Sequence, residues 1–219
     1  MEKYVKDILS ARVYDVAIES PVHEAASLSK RLQNRIMLKR EDMQPVFSFK
    51  LRGAYNRMSQ LSEEAAARGV IAASAGNHAQ GIALAGASLG IKTIIVMPVT
   101  TPAIKINAVR SRGGDVLLHG DTYNDAAEYA MKLVQKHGYT FVHAFDDKAV
   151  IAGQGTVGVE ILRQHSGPLD AVFVPVGGGG LMAGMAAYIK YIRPDIRMIA
   201  VEAEDSACLK AAMAAGRRV

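Results

Sequence analysis

Several features are scarce in this sequence of 219 residues, and each shortage excludes a class of protein. The only cysteine, Cys208, cannot form an internal disulfide or a cysteine-rich metal site, which fits a reducing compartment. No apolar run is long enough to cross a bilayer, and the N-terminus lacks the apolar core of a secretory signal. The excess of 26 basic over 21 acidic residues is small and forms no block of like charge. We therefore expect a cytoplasmic globular protein that binds neither nucleic acid nor a membrane.

What the sequence has is an alternation of two kinds of segment, in a chain that is 50% apolar. Ala-rich stretches with helical spacing separate short β-branched runs, which we expect to be buried strands. These runs are residues 69–73, 92–97, 115–118, 139–142, 171–176 and 197–201. Strands and helices in regular alternation are typical of parallel sheets covered on both faces by helices. The sequence therefore predicts an α/β fold with three layers, helix, sheet and helix, and sheets rich in parallel strands.

Capping residues and glycines mark the ends of the expected helices. Helices are predicted over residues 62–69, 101–113, 121–138 and 205–216. Ser62 is the expected cap of the first, and Thr101 of the second, because Thr101 directly precedes Pro102.

Residues 153–158 spell the Gly-x-Gly-x-x-Gly dinucleotide fingerprint, but no strand directly precedes them. We interpret that segment as a helix whose small residues allow close packing.

Four successive glycines follow the expected strand 171–176 and precede a helix. A turn without side chains exposes its backbone N–H groups, and the helix N-terminus adds partial positive charge, so the segment predicts a phosphate site. The alternative is a tight turn that needs positive φ at one or two positions. No Lys-Ser/Thr pair follows, so the run is not the nucleotide loop that uses lysine on terminal phosphates.

Two further segments could carry chemistry. Residues 74–81, Ser-Ala-Gly-Asn-His-Ala-Gln-Gly, directly follow a strand, where the crevice of a parallel sheet binds ligands. The alternative is a polar turn that caps a helix starting near Asn77. Within residues 45–54, Ser48 is an expected helix cap that places Lys50 in the first turn. The helix dipole and burial beside aromatic rings would lower the pKa of Lys50, as Schiff-base chemistry requires, whereas the alternative is a solvated surface lysine.

Taken in this order, the three segments resemble the pyridoxal-phosphate enzymes of the tryptophan synthase β-like fold. More narrowly, they are similar to the threonine and serine dehydratases, which share the lysine motif (48–54), the substrate loop (74–81) and the glycine loop (177–180). The resemblance covers essentially the whole chain. Residues 40–46 and 201–209 are most similar to the biosynthetic threonine dehydratase branch.

The resemblance implies a fold of two lobes, the smaller inserted in the larger. The expected domains are a large cofactor-binding domain of residues 1–52 and 145–219 and a small domain of residues 53–144. Family members continue beyond the point that corresponds to Val219. We therefore expect an N-terminal portion whose larger lobe is incomplete at its C-terminus.

The resemblance also implies a role for each matching residue. Lys50 would carry pyridoxal 5'-phosphate on its amine and later remove the substrate's α-proton, Phe49 would pack on one side of the pyridine ring, and Asn77 would hydrogen-bond its phenolic oxygen. The phosphate would be held by Gly177, Gly178, Gly179, Gly180 and the amide of Leu181. The substrate carboxylate would be held by Ser74, Asn77 and His78.

Ala75 stands where serine racemases carry a second serine, so elimination is expected over racemisation. Glu202 matches the start of the racemase metal site, but Cys208 replaces a later carboxylate, so no metal is expected.

The implied reaction is the dehydration and deamination of L-threonine, or L-serine, to a 2-oxo acid and ammonia. For threonine the product is 2-oxobutanoate, an intermediate of isoleucine biosynthesis, and the full-length enzymes are expected to be homo-oligomers. Two alternatives stay open: a catalytically inactive fragment that keeps the fold as a cofactor-binding or assembly module, and a nucleotide-binding α/β module. The residue that meets the pyridine nitrogen in the family lies beyond this sequence.

Overall fold

The computed structural model describes residues 1–217. Its N-terminal part contains α1 (Glu2–Leu9), β1 (Val22–Glu24), α2 (Ala26–Leu32), β2 (Met37–Lys39) and α3 (Lys50–Met58). The middle contains α4 (Glu63–Arg68), β3 (Val70–Ala73), α5 (Asn77–Leu89), β4 (Thr93–Met97), α6 (Ala103–Arg110), β5 (Asp115–Leu118), α7 (Tyr123–His137) and β6 (Thr140–Phe141). The C-terminal part contains α8 (Lys148–Gln164), β7 (Ala171–Pro175), α9 (Gly180–Ile192), β8 (Arg197–Val201) and α10 (Cys208–Ala215).

The larger sheet is parallel and has the strand order β5-β4-β3-β6. Successive residues of β3 point to opposite faces, as the period of two requires. Val70 and Ala72 pack in a core with residues of α3, α5 and α6, whereas Ile71 packs with Ala126 and Ala130 of α7. Helices thus cover both faces of this sheet, and the predicted α/β class with parallel strands is confirmed.

A second parallel pair, β7 and β8, packs against α8 and α9. The Gly-x-Gly-x-x-Gly segment lies inside α8, so its interpretation as a helix with small residues is confirmed. A Cβ atom at Gly153 would lie 2.6 Å from the carbonyl oxygen of Arg52, and one at Gly155 would lie 2.7 Å from the side chain of Ile8. These glycines therefore let α8 approach α3 and α1 more closely than any side chain would allow.

A buried ionic cluster ties the N-terminal segment to the helices that carry the site. The guanidinium of Arg52, which is 0% exposed, contacts Glu41 at 2.8 Å and Glu160 at 2.5 Å. Lys39, at the end of β2, contacts the other oxygen of Glu160 at 2.5 Å. The antiparallel pair β1–β2, which the sequence did not predict, is thereby held against α3 and α8.

Of the helix caps expected at Ser62 and Thr101, the first is confirmed and the second is wrong. Ser62 accepts a hydrogen bond from the amide of Ala65 at 3.2 Å and caps α4, as expected. The helix predicted from residue 101 is wrong at its start, because Pro102 is extended (ψ 140°) and α6 begins at Ala103. The carbonyl of Pro102 accepts the first helical bonds, so Thr101 makes no cap. No helix within residues 1–217 combines the length and the apolar character needed to cross a membrane.

Candidate active site

The glycine turn connects the end of β7 to the start of α9. Gly179 has φ +87°, a left-handed conformation that favours glycine. The first helical bond of α9 runs from the amide of Ala183 to the carbonyl of Gly179 at 2.8 Å. The amides of Gly180, Leu181 and Met182 therefore have no carbonyl partner within the helix. Such a group of N–H donors at a helix N-terminus is suited to binding an anion.

Three of the four glycines are required by the local structure, for two different reasons. A Cβ atom at Gly178 would overlap the ring of Phe145, and one at Gly180 would lie 3.0 Å from the carbonyl oxygen of Phe145. Gly179 is explained by its positive φ, so a tight turn accounts for one glycine and the packing of Phe145 for two. Gly177 has neither a positive φ nor any neighbour within 4 Å of its Cβ position. Its missing side chain leaves space open at the turn.

Lys50 is the first residue of α3, and its side chain is half-buried. Its Nζ atom donates a hydrogen bond to the carbonyl oxygen of Ala144 at 3.0 Å and lies 5.3 Å from the centre of the Phe49 ring. Burial lowers the pKa of the Lys50 amine below its usual value. The expected cap is wrong in detail, because Phe49 holds the N-cap position and Ser48 instead accepts a hydrogen bond from the Lys50 amide at 3.4 Å.

One cavity of about 600 Å³ joins the lysine to the glycine turn. Its lining combines the two aromatic side chains next to the lysine, the turn itself and the residues that follow β8. The expected residues in this lining are Phe49, Lys50, Gly177, Gly178, Gly179, Gly180 and Leu181. The structure thus brings the lysine motif and the glycine motif, which are far apart in sequence, to one site.

The loop after β3 approaches the same region from the side of α5. Asn77 begins α5 and is exposed, and the hydroxyl of Ser74 accepts a hydrogen bond from the Gly76 amide at 3.2 Å. Gly81 lies one turn after Asn77 on the same face of α5, and a Cβ atom there would lie 3.1 Å from the backbone of Lys50. The face of α5 that carries Asn77 therefore rests on the start of α3. Ser74, Asn77 and His78 do not belong to the lining of the 600 Å³ cavity.

The His78 side chain points into the protein. It is 3% exposed, and its Nε2 atom lies 2.9 Å from the carbonyl oxygen of Val142, so Nε2 carries the proton and donates it. Burial lowers the pKa of His78 to about 4, which keeps the ring neutral at pH 7. Its Nδ1 atom has no hydrogen-bond partner among the described residues. The backbone amide of His78 lies in the first turn of α5. It precedes the hydrogen bond that the Gln80 amide donates to the Gly76 carbonyl.

Sequence reasoning missed the segment that follows β6. Ala144 supplies the carbonyl that accepts from Lys50, and the Phe145 ring packs against Gly178 and lines the cavity. His143 bends this segment, since its Nδ1 atom accepts from the amides of Phe145 at 3.2 Å and Asp146 at 2.8 Å. The available signal was topological: β6 lies beside β3, so the loops at their carboxyl ends share one edge.

The carboxylate of Glu202 serves a structural purpose at the rim of the cavity. It accepts hydrogen bonds from the amides of Leu209 at 2.8 Å and Lys210 at 2.9 Å in the first turn of α10. These bonds hold the pKa of Glu202 below its usual value. Among residues 1–217, no three His, Cys, Asp or Glu side chains are grouped to bind a metal ion.

Together, the fold and the cavity define an α/β protein in which a half-buried lysine shares a cavity with a turn suited to binding an anion. A family model described as "Pyridoxal-phosphate dependent enzyme" matches residues 13–219, so the chain belongs to this family of pyridoxal-phosphate-dependent enzymes. The resemblance found in the sequence, and the cofactor that it implied, are confirmed at this level.

Relatives with related names match the chain over nearly all of its length. The chain is 58% identical over 219 residues to L-threonine dehydratase biosynthetic IlvA of Burkholderia multivorans, covering 99% of the chain and 43% of the relative. It is 56% identical to the Escherichia coli protein of the same name, covering 99% and 42%. The chain therefore spans less than half the length of these curated relatives.

Solved structures show the same fold. The processed form of threonine deaminase isoform 2 from Solanum lycopersicum superposes with a TM-score of 0.97 at 54% identity, covering 100% of the chain and 60% of that structure. Maize serine racemase superposes with a TM-score of 0.94 at 32% identity, covering 98% and 66%.

Proposed function

We propose that this chain carries the cofactor lysine and phosphate site of an L-threonine dehydratase, which converts L-threonine to 2-oxobutanoate and ammonia. The observation that carries the proposal is the shared cavity of the desolvated Lys50 amine and the glycine turn. The names of the relatives support the substrate, and the word "biosynthetic" in them supports a place in isoleucine synthesis.

The residues present fit pyridoxal phosphate. Gly177, Gly178, Gly179 and Gly180 with the amide of Leu181 would hold the phosphate, because the turn offers amides of the α9 N-terminus and open space at Gly177. Phe49 would pack on one side of the pyridine ring, and Asn77 would bind its phenolic oxygen. When bound, this cofactor supplies an aldehyde that a lysine amine can bond and a ring that accepts electron density from the substrate's Cα atom.

Lys50 provides the amine and the base. A protonated amine is neither nucleophilic nor basic, so the lowered pKa raises the fraction of Lys50 that can react at neutral pH. The carbonyl of Ala144 fixes the direction of Nζ. In that position the same nitrogen can take the α-proton of a substrate held in the cavity.

The loop after β3 would hold the substrate carboxylate. The hydroxyl of Ser74, the side chain of Asn77 and the amide of His78 lie at the N-terminus of α5, where partial positive charge favours an anion. This arrangement would orient the substrate's Cα–H bond toward the lysine amine.

We also propose that residues 1–52 and 145–219 form one domain and residues 53–144 another. The proposal is supported by the two parallel sheets, since β3, β4, β5 and β6 pair only with one another within the described residues, and β7 pairs with β8. Homo-oligomerisation and a cytoplasmic location remain predictions from the resemblance; two of the plant relatives are named chloroplastic.

The test uses the full-length protein with pyridoxal phosphate. We expect a visible absorption band from the lysine-bound cofactor, and borohydride reduction should attach the cofactor to Lys50. Lys50→Ala should abolish the band, whereas Lys92→Ala, at an exposed lysine before β4, should keep it. Formation of 2-oxobutanoate from L-threonine completes the proposal. A band without turnover would favour an inactive cofactor-binding module, and binding of ATP or NAD without a band would favour a nucleotide-binding protein.

A further inference from the structure

Three parts of the site meet on one short segment, residues 142–145. His78 of α5 donates to the carbonyl of Val142 at 2.9 Å, and Lys50 of α3 donates to the carbonyl of Ala144 at 3.0 Å. The ring of Phe145 packs against Gly178 of the glycine turn. Ala144, which holds the lysine amine, therefore lies between the residue that His78 holds and the residue that packs on the glycine turn.

His78 restrains this segment beyond the end of the pairing between β6 and β3. The ladder between β6 and β3 covers two residue pairs, Val70 with Thr140 and Ile71 with Phe141. Its last bond runs from the amide of Val142 to the carbonyl of Ile71 at 3.0 Å. Beyond that bond, the Val142 carbonyl is held by the imidazole of His78. Since His78 is buried and neutral, this donor is fixed in place.

We propose that His78 is a positioning residue: through Val142 its imidazole fixes the Ala144 carbonyl that aims the Lys50 amine, and the ring itself does not contact the substrate. The inference rests on the proposed function of Lys50 as the cofactor lysine. When Lys50 bonds to pyridoxal phosphate, the lysine nitrogen would replace the aldehyde oxygen, which leaves as water. A misdirected amine would therefore weaken this covalent step and leave the phosphate contacts unchanged.

Two ligands separate this role from simple packing. Pyridoxal phosphate can bond to Lys50, whereas pyridoxine phosphate has the same ring and phosphate but an alcohol in place of the aldehyde. His78→Leu removes the donor, and His78→Gln keeps an N–H donor at a similar reach. In the full-length protein we expect His78→Leu to lower the affinity for pyridoxal phosphate by about tenfold, which corresponds to the loss of one buried hydrogen bond. Its affinity for pyridoxine phosphate should stay within about twofold of wild type, and His78→Gln should restore most of the loss.

A second measurement does not depend on the cofactor. Amide hydrogen exchange of the peptide that contains residues 142–146 should be faster in His78→Leu than in wild type, and His78→Gln should return it toward the wild-type rate. An equal loss of affinity for both ligands, or unchanged exchange in this peptide, would overturn the positioning role. If wild type forms no bond at Lys50 while exchange responds as expected, the proposed function fails and the restraint by His78 remains.

Discussion

Replacing Gly177 with alanine is expected to raise stability and lower phosphate affinity at once. Gly177 has no positive φ, and a Cβ atom there would meet no atom within 4 Å. At such a compatible position alanine reduces the entropy of the unfolded chain, so Gly177→Ala should raise the free energy of unfolding by about 0.4–1 kcal/mol. The same methyl group would stand at the wall of the 600 Å³ cavity, where we place the phosphate.

The expected loss of affinity follows from the hydrogen bonds that the methyl group would displace. A hydrogen bond to a charged group contributes about 1.5–3 kcal/mol, so losing one corresponds to roughly 10- to 100-fold in Kd. The assay compares titrations with pyridoxal phosphate and with pyridoxal, which lacks the phosphate. In Gly177→Ala only the affinity for pyridoxal phosphate should fall, and the affinity for pyridoxal should not. Urea unfolding without cofactor measures the change in the free energy of unfolding.

Two other glycine substitutions serve as controls. Gly178→Ala would push a methyl group into the Phe145 ring, so it should lower the free energy of unfolding by about 1–3 kcal/mol. Gly167 lies outside the cavity, and a Cβ atom there would make an ordinary contact of 3.4 Å with the His165 side chain. Gly167→Ala should therefore leave both affinities unchanged. The reasoning is refuted if Gly177→Ala binds pyridoxal phosphate as wild type does, or if it destabilises the chain by more than about 1 kcal/mol.

Two further predictions concern buried charge. Glu160→Gln leaves the buried Arg52 guanidinium with Glu41 as its remaining carboxylate, so urea unfolding should show a loss of about 3–5 kcal/mol, whereas Glu24→Gln at an exposed pair should cost under about 1 kcal/mol. A small effect of Glu160→Gln would contradict the account of the cluster. Because the pKa of His78 falls from 6.5 in the unfolded chain to about 4 when folded, its contribution to stability is complete above pH 6.5 and is lost as the pH falls toward 4. That loss amounts to about 3 kcal/mol. It should be absent in His78→Gln, and an unchanged acid profile in that variant would contradict it.

The elements that the sequence predicted are those whose signal is local. All six β-branched runs became strands, but the expectation that they are buried holds along the whole strand only for β3 and β4, since β5, β6 and β8 contain no buried residue. The short N-terminal elements β1, α2 and β2 were missed because three to seven residues are too few to show a clear period. β1, β2 and α2 contain no fully buried residue, and long-range contacts such as those of Lys39 with Glu160 hold them in place. Patterns within a few residues carry no record of such partners.

The same division separates the predicted from the missed parts of the site. The lysine motif and the glycine run are recognisable because their chemistry lies in side chains, or in the absence of side chains. Ala144 contributes only a carbonyl oxygen, which every residue has, so no sequence pattern can mark it. The resemblance assigned His78 to the substrate carboxylate without naming an atom, and the structure places its imidazole on the carbonyl of Val142.

A main-chain acceptor has a consequence for how this site can vary. Because the Lys50 amine is aimed by a carbonyl, substitutions at Ala144 itself need not disturb it, provided that the backbone of residues 142–145 keeps its course. That course depends on the bond from His78 at one end and on the space at Gly178 for the Phe145 ring at the other. The residues that fix the orientation of the Lys50 amine are therefore distributed over α5, the segment after β6 and the glycine turn, although the amine itself belongs to α3.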